Sequence, residues 1–253
     1  MLELGSIISF TPPCVLIITS AVLFKTLLKE IRPSIKYFKS SEIKDLFSLG
    51  IQFFVIQIIT IVLFQSNNLI ITHVLDSVSV VEYNIAYKYM TVMVMVFNII
   101  ATPIWSATTE AWEKNDLNWI RLTNKRLLRI SMYISLIGLL MVLISPYIYR
   151  IWLKDDIQIS FITTLLLFVY SSLMMFYGAY GYILNGIGKL RVQILATVII
   201  AVMYVPLTCF MGEKIGLPGI LLSFSFSVAL NVLWSKIQYN KLLSGKATGI
   251  WVK

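Results

Sequence analysis

This sequence has very few of the residues that soluble chemistry relies on. Its 253 residues hold one histidine, two cysteines and 12 acidic side chains, against 21 lysines and arginines. His73 has no second imidazole with which to share a metal. Cys14 and Cys209 show neither a CxxC spacing nor a Cys/His pairing. Both thiols read as small buried hydrophobes, and no metal or other cofactor is expected. Walker loops, nucleophile elbows and glycine-rich dinucleotide turns are missing too, which argues against a hydrolase or a nucleotide-driven pump. No sizeable extramembrane segment remains for glycosyl-transfer chemistry, so no enzyme is expected.

Apolar residues are abundant instead. Hydrophobic residues make up 58% of the chain and charged residues 13%, where a soluble domain carries roughly 45–50% and about 25%. Such a chain needs hydrocarbon as its main solvent. Its apolar blocks run to about 20 residues, enough to cross a bilayer as helices. They lack the short alternating pattern of a membrane β-barrel. The expected fold is therefore an all-α polytopic membrane protein with seven transmembrane helices, at about 4–24, 46–71, 80–106, 130–149, 159–184, 192–211 and 220–234. Pro12 and Pro13 are expected to bend or shorten the first span, and Pro206 to kink the sixth. The fourth should end near Ser145 and Pro146. The stretch 110–129 reads as an amphipathic helix lying on the membrane surface, with Trp105, Trp112 and Trp119 in an aromatic belt. The N-terminus lacks a basic leader region, and its apolar run exceeds that of a signal peptide, so it reads as a retained span.

The positive charge lies in short linkers, which excludes a nucleic-acid surface and sets orientation. Seventeen cations fall on one side of the spans and three, Arg150, Lys154 and Lys214, on the other, with Lys88 between. The rich side is cytoplasmic by the positive-inside rule. The N-terminus is then outside and the C-terminus in the cytoplasm. A basic cytoplasmic linker, 25–45, separates a single span, 1–24, from a six-helix lobe, 46–235, and a basic tail, 236–253, follows. Six spans are a common half-transporter unit, so the chain is expected to be a fragment or a short gene product.

Polar side chains recur along these spans at steps of three and four, which puts them on one helix face. Asn84, Lys88, Thr91, Asn98 and Thr102 mark the third span, and Gln57, Thr60 and Asn67 the second. Gln193, Thr197, Tyr204 and Thr208 mark the sixth, and Ser223, Ser227 and Asn231 the seventh. In the fourth span, Ser131, Ser135 and Gly138 read as simple helix packing. The larger amides of the second and third spans point to a wet cavity. Lys88, roughly 12 Å into its helix at 1.5 Å per residue, is the sharpest signal. A cation at that depth costs a few kcal/mol unless it is hydrated or paired. A snorkelling side chain or a pair with Glu82 competes with an aqueous groove that receives an anion.

The segment EYNIAYKYM, with the later PIWSATTEAW and the Asp116–Trp119 spacing, resembles the oligosaccharide (O-antigen type) flippases. These are the polysaccharide-biosynthesis branch of the superfamily that includes multidrug exporters. Tyr83, Asn84, Ala86, Lys88, Pro103, Trp105, Ala107, Glu110, Ala111, Asp116 and Trp119 carry the likeness, and LNGIGKLR resembles a cytoplasmic turn of that family. The resemblance implies two six-helix lobes around a cavity, of which this chain would hold span six, the inter-lobe linker and the C-terminal lobe. The missing lobe, or a second chain, would be its partner. The implied cargo is a polyprenyl-diphosphate-linked oligosaccharide, flipped outward across the bacterial cytoplasmic membrane by alternating access. Lys88 would meet the diphosphate. Asn84, Thr91, Asn98, Gln57, Asn67, Tyr204 and Asn231 would line the path, with Glu110 and Arg121 at the cytoplasmic rim. A cation antiporter of the same superfamily would want a carboxylate inside a span, and none is centrally placed. A non-transporting partner subunit is the other alternative.

Overall fold

The computed structural model describes residues 2–34, 40–153 and 157–252. The middle of the basic linker, 35–39, lies outside the described residues, as do four cations counted for orientation, Lys36, Lys39, Lys154 and Lys253. Seven α-helices are described: α1 Leu2–Lys25, α2 Ser40–Val74, α3 Ser77–Glu113, α4 Leu117–Leu153, α5 Phe161–Ile187, α6 Arg191–Ile215 and α7 Leu217–Leu243. Short 3-10 turns lie at Lys29–Ile31 and Gly249–Trp251, and no strand occurs among the described residues. The six helices after α1 are each long and apolar enough to cross a membrane, whereas the apolar stretch of α1, Ser9–Lys25, is shorter. The chain is an all-α polytopic membrane protein, as its composition requires.

The chain divides into two units, Met1–Ser48 and Leu49–Lys253. In the first, α1 runs unbroken through Pro12 and Pro13, so neither proline shortens it. Cys14 is exposed on it rather than buried, since the described neighbour of α1 in its unit is the short turn at Lys29–Ile31, which leaves most of the helix uncovered. Cys209 is partly buried on α6.

In the second unit α5 is the central post, packed against α3, α4 and α7, with α6 against α7. Phe97, Met90, Leu167, Met175, Ile220 and Phe224 are wholly buried between these helices. The outer face of α4 exposes Met132, Leu136, Leu140, Leu143 and Tyr147, a surface suited to lipid tails. The ends of α3, α4, α5 and α7 meet in a second apolar cluster around Ile120, Ile183 and Tyr239, with Trp112 and Trp119 packed on it. Those two tryptophans thus seal a protein seam.

Local chemistry sets the helix ends. Asp76 Oδ1 accepts from the Ser79 amide at 2.7 Å and caps α3. Ser160 Oγ does the same for α5 from Ile162 at 3.3 Å, and Gly188, at φ 75°, closes that helix in the left-handed conformation. Between α3 and α4 the chain turns in three residues, with Asn115 at φ 56° and Asp116 Oδ1 accepting from the Trp119 amide at 2.9 Å. The stretch expected to lie on the membrane surface is therefore the end of α3 and the start of α4. Its apolar face, Ile120, Thr123 and Leu127, is buried by protein. Pro146 does not end α4 either. Its missing N–H would orphan the Val142 carbonyl, and Ser145 Oγ donates to that oxygen at 2.8 Å.

The α3–α5 contact is close because Gly186 lacks a side chain. A Cβ there would stand 2.7 Å from the Trp105 carbonyl oxygen. Thr109 Oγ1 donates to the Gly186 carbonyl at 2.9 Å across the same contact. At the opposite end Glu82 Oε1 accepts from the Ser160 amide at 3.1 Å and from Thr163 Oγ1 at 2.5 Å. In the fourth helix, Ser131 Oγ donates to Leu127 and Met175 carbonyls, and Gly138 gives room to Met93, the packing role expected for that stripe.

Candidate substrate groove and inner cavity

α3 has two unlike faces. Tyr83, Ala86, Met90, Met93, Phe97 and Ala101 recur at steps of three and four and are buried. The face turned away from them carries Lys88, Thr91, Met95, Asn98 and Thr102, which line an open groove of about 620 Å³. Lys88 is exposed, eleven residues beyond the start of α3, or about 16 Å along it. That is deeper than the sequence suggested, because α3 begins before the expected span. Glu82 is held by the start of α5 and does not pair with Lys88. Among the described residues the ammonium has no ion-pair partner; the ion pair described is Glu110–Lys114. Farther along the groove, Tyr182 Oη donates to Asn98 Oδ1 at 3.2 Å and lies 3.4 Å from Thr102 Oγ1.

A second space lies inside the lobe, between α2, α5, α6 and α7. It is a half-enclosed cavity of about 130 Å³ that brings together Asn67, Tyr170, Tyr204, Ser227 and Asn231. Asn67 is its polar hinge. Its Oδ1 accepts from Tyr204 Oη, and its Nδ2 donates to Tyr83 Oη at 3.4 Å, tying α2 to α3 and α6. Phe224 forms the floor, with ring centroids 5.6 Å from Tyr204, 5.9 Å from Tyr83 and 6.2 Å from Tyr170. Asn231 Nδ2 donates to the Ser227 carbonyl at 3.1 Å, and its Oδ1 accepts from Trp234 Nε1 at 2.7 Å.

The expected path residues thus separate into two groups. Lys88, Thr91 and Asn98 share the groove, and Asn67, Tyr204 and Asn231 share the cavity. Asn84 lines neither space. Its Nδ2 donates to Asn68 Oδ1 at 3.0 Å and to the Val80 carbonyl at 2.9 Å, which makes it a tie between α2 and α3. Gln57 is exposed and lines neither space. Of the rim residues, Glu110 is exposed and paired with Lys114 at 2.5 Å. Arg121 Nη2 donates to the Leu243 carbonyl at 2.7 Å, so its cation caps the C-terminal end of α7. Both are structural contacts at the helix ends. Sequence reasoning missed Tyr170, Met174 and Tyr177, because phenol and thioether side chains do not break an apolar run as an amide or a charge does. Their spacing of four and three on one face, with two phenols, was the available signal.

The lobe thus carries a cationic groove on one face and an amide-and-hydroxyl cavity beside it. Comparison with known proteins finds likenesses. The family model described as "Polysaccharide biosynthesis protein" matches residues 4–108. The chain is 22% identical over 186 residues to the "Putative O-antigen transporter" of Salmonella typhimurium, covering 72% of this chain and 43% of that relative. It is 23% identical over 200 residues to the protein of the same name from Salmonella typhi, covering 78% and 46%. The chain thus spans about half the length of the relatives it matches. No solved structure matches it. The chain is thus similar to polysaccharide biosynthesis proteins over its first 108 residues and to the two O-antigen transporters over most of its length.

Proposed function

We propose that this chain supplies one half of a transporter that moves polyprenyl-diphosphate-linked oligosaccharide from the cytoplasmic to the outer leaflet. The observation that carries the reading is Lys88. Its ammonium stands in an open groove deep along a membrane helix, without an ionic partner among the described residues. An unpaired cation there is expensive unless water or an anion meets it, and in a low-dielectric cleft a diphosphate would be attracted far more strongly than in water. Thr91, Asn98 and Thr102 continue the groove with groups that exchange hydrogen bonds with sugar hydroxyls. The names of the relatives, O-antigen transporters, fit such a cargo. Among the described lining residues neither space holds a carboxylate, which disfavours the cation antiporter. The other half of the path would come from a lobe equivalent to the part of the relatives that this chain does not span, the two lobes alternating by rocking. N-out, C-in insertion in the cytoplasmic membrane is part of the same reading.

The test is surface glycan in cells that depend on this chain for export, assembled with its complementary lobe. Lys88→Ala is expected to cut lipid-linked glycan exposure strongly while the protein still inserts. Normal export by that variant would contradict the role.

A further inference from the structure

The groove and the inner cavity differ in charge but share a wall. Met174 lines both, and Tyr87 of the groove lies 6.3 Å, ring to ring, from Tyr170 of the cavity. Methionine is unbranched and readily changes rotamer, so Met174 is a movable part of that shared wall. Resting on the transport reading above, we propose that the cavity behind Met174 is a subsite for one uncharged pyranose ring of the cargo, entered from the groove.

Three observations support this. Tyr170 is 5% exposed and Ser227 9% exposed. Both line the cavity, and neither hydroxyl is among the buried polar atoms left without a partner, so each is open to that space. Hydroxyls that open onto the space can exchange hydrogen bonds with a ligand rich in hydroxyls. Thr197, on the same wall, adds a third free hydroxyl. Next, the rings of Tyr170, Tyr204 and Phe224 form an apolar floor, onto which the C–H face of a sugar can lie while its edge meets the hydroxyls. Finally, no described lining residue is charged at neutral pH. A uronate or a phosphate would have to be desolvated without compensation there, so the occupant is neutral. The size agrees. A water needs roughly 10–15 Å³ of such space, so about 130 Å³ holds a small water cluster or one ring, not a whole repeat unit.

The test uses saturation-transfer NMR on the 253-residue chain in lipid nanodiscs, with four probes: methyl glucoside, methyl glucuronide, geraniol and geranyl diphosphate. The glucoside is expected to receive saturation and the glucuronide not. Thr197→Phe, which fills the cavity, should weaken the glucoside at least about tenfold. Should Thr197→Phe not fold, Ser227→Val is expected to weaken the glucoside about threefold. Met174→Ala should speed glucoside exchange. Equal binding of the glucuronide, displacement of the glucoside by geraniol, a glucoside signal insensitive to Thr197→Phe or Ser227→Val, or unchanged exchange in Met174→Ala would each overturn the subsite or its gate. Geranyl diphosphate separates the two readings. If it binds through Lys88 while the glucoside does not bind, the subsite falls and the transport reading stands. If the glucoside binds in the cavity while the diphosphate ignores Lys88, the subsite stands and the transport reading falls.

Discussion

Asn67 and Lys88 are both costly residues to place in membrane helices, and the lobe treats them in opposite ways. Asn67 is 4% exposed, and its carboxamide is taken up by Tyr204 and Tyr83, so it stitches three helices together. Lys88 is exposed to a groove and bound to nothing described. A polar stripe in a membrane sequence is therefore ambiguous: the same spacing serves cohesion where a partner helix supplies a complement, and lines an open groove where none does. α3 carries both outcomes along one stripe. Asn84, four residues before Lys88, is a tie to Asn68, while Lys88, Thr91 and Asn98 turn to the groove.

The largest expected effect comes from reversing charge in the groove. Lys88→Glu should lower glycan export at least tenfold, equivalent to about 1.4 kcal/mol or more in the transport barrier, yet leave thermal stability in detergent within about 0.5 kcal/mol of the parent. A matching fall in stability would make Lys88 a structural residue and erase the contrast with Asn67. Gly186→Leu attacks the α3–α5 contact that holds the groove in place. With a Cβ 2.7 Å from the Trp105 carbonyl, it should cost about 3 kcal/mol or prevent folding, read as a lower melting temperature or loss of a monodisperse peak.

Asn67→Leu should do what Lys88→Glu does not. It leaves the Tyr204 and Tyr83 hydroxyls buried without their amide and should cost about 1–3 kcal/mol. Tyr204→Phe alone should cost less, and the double variant should cost less than the sum of the two. Strict additivity in that cycle would deny the coupling that the seam requires. The smallest effect lies at the exposed start of α3. The Ser79 amide holds the Asp76 carboxyl below its ordinary value of 3.8. The cap's contribution is thus complete above that ordinary value and is lost as pH falls through the depressed one. Hydrogen exchange at the first-turn amides of α3 should speed up only below about pH 4, and Asp76→Asn should remove that dependence.

Much of this was legible in the sequence, for physical reasons. Continuous apolar blocks cannot be anything but spanning helices in hydrocarbon, and the depth of Lys88 marked the groove. The partition of the polar residues was not legible. Periodicity shows that Asn67, Asn84 and Asn98 share faces with their neighbours, but not which helix lies opposite. The stretch at 117–129 has a clear amphipathic period, yet period alone does not say whether lipid headgroups or a protein neighbour covers the apolar side. Here Asn124 Nδ2 donates to the Ala179 carbonyl at 2.9 Å inside the bundle, a contact that only the fold reveals. The run through Pro146 was misread because the remedy, a serine one residue earlier, reads as part of the stop.

The most direct test of the contrast is thiol labelling in intact cells with a membrane-impermeant maleimide. It needs a background in which Cys14 and Cys209 are replaced by alanine. Lys88→Cys should be labelled readily and Asn67→Cys far more slowly, since one is exposed in the open groove and the other is 4% exposed between Tyr204 and Tyr83. An unreactive cysteine at 88, or equal labelling at both positions, would contradict the account.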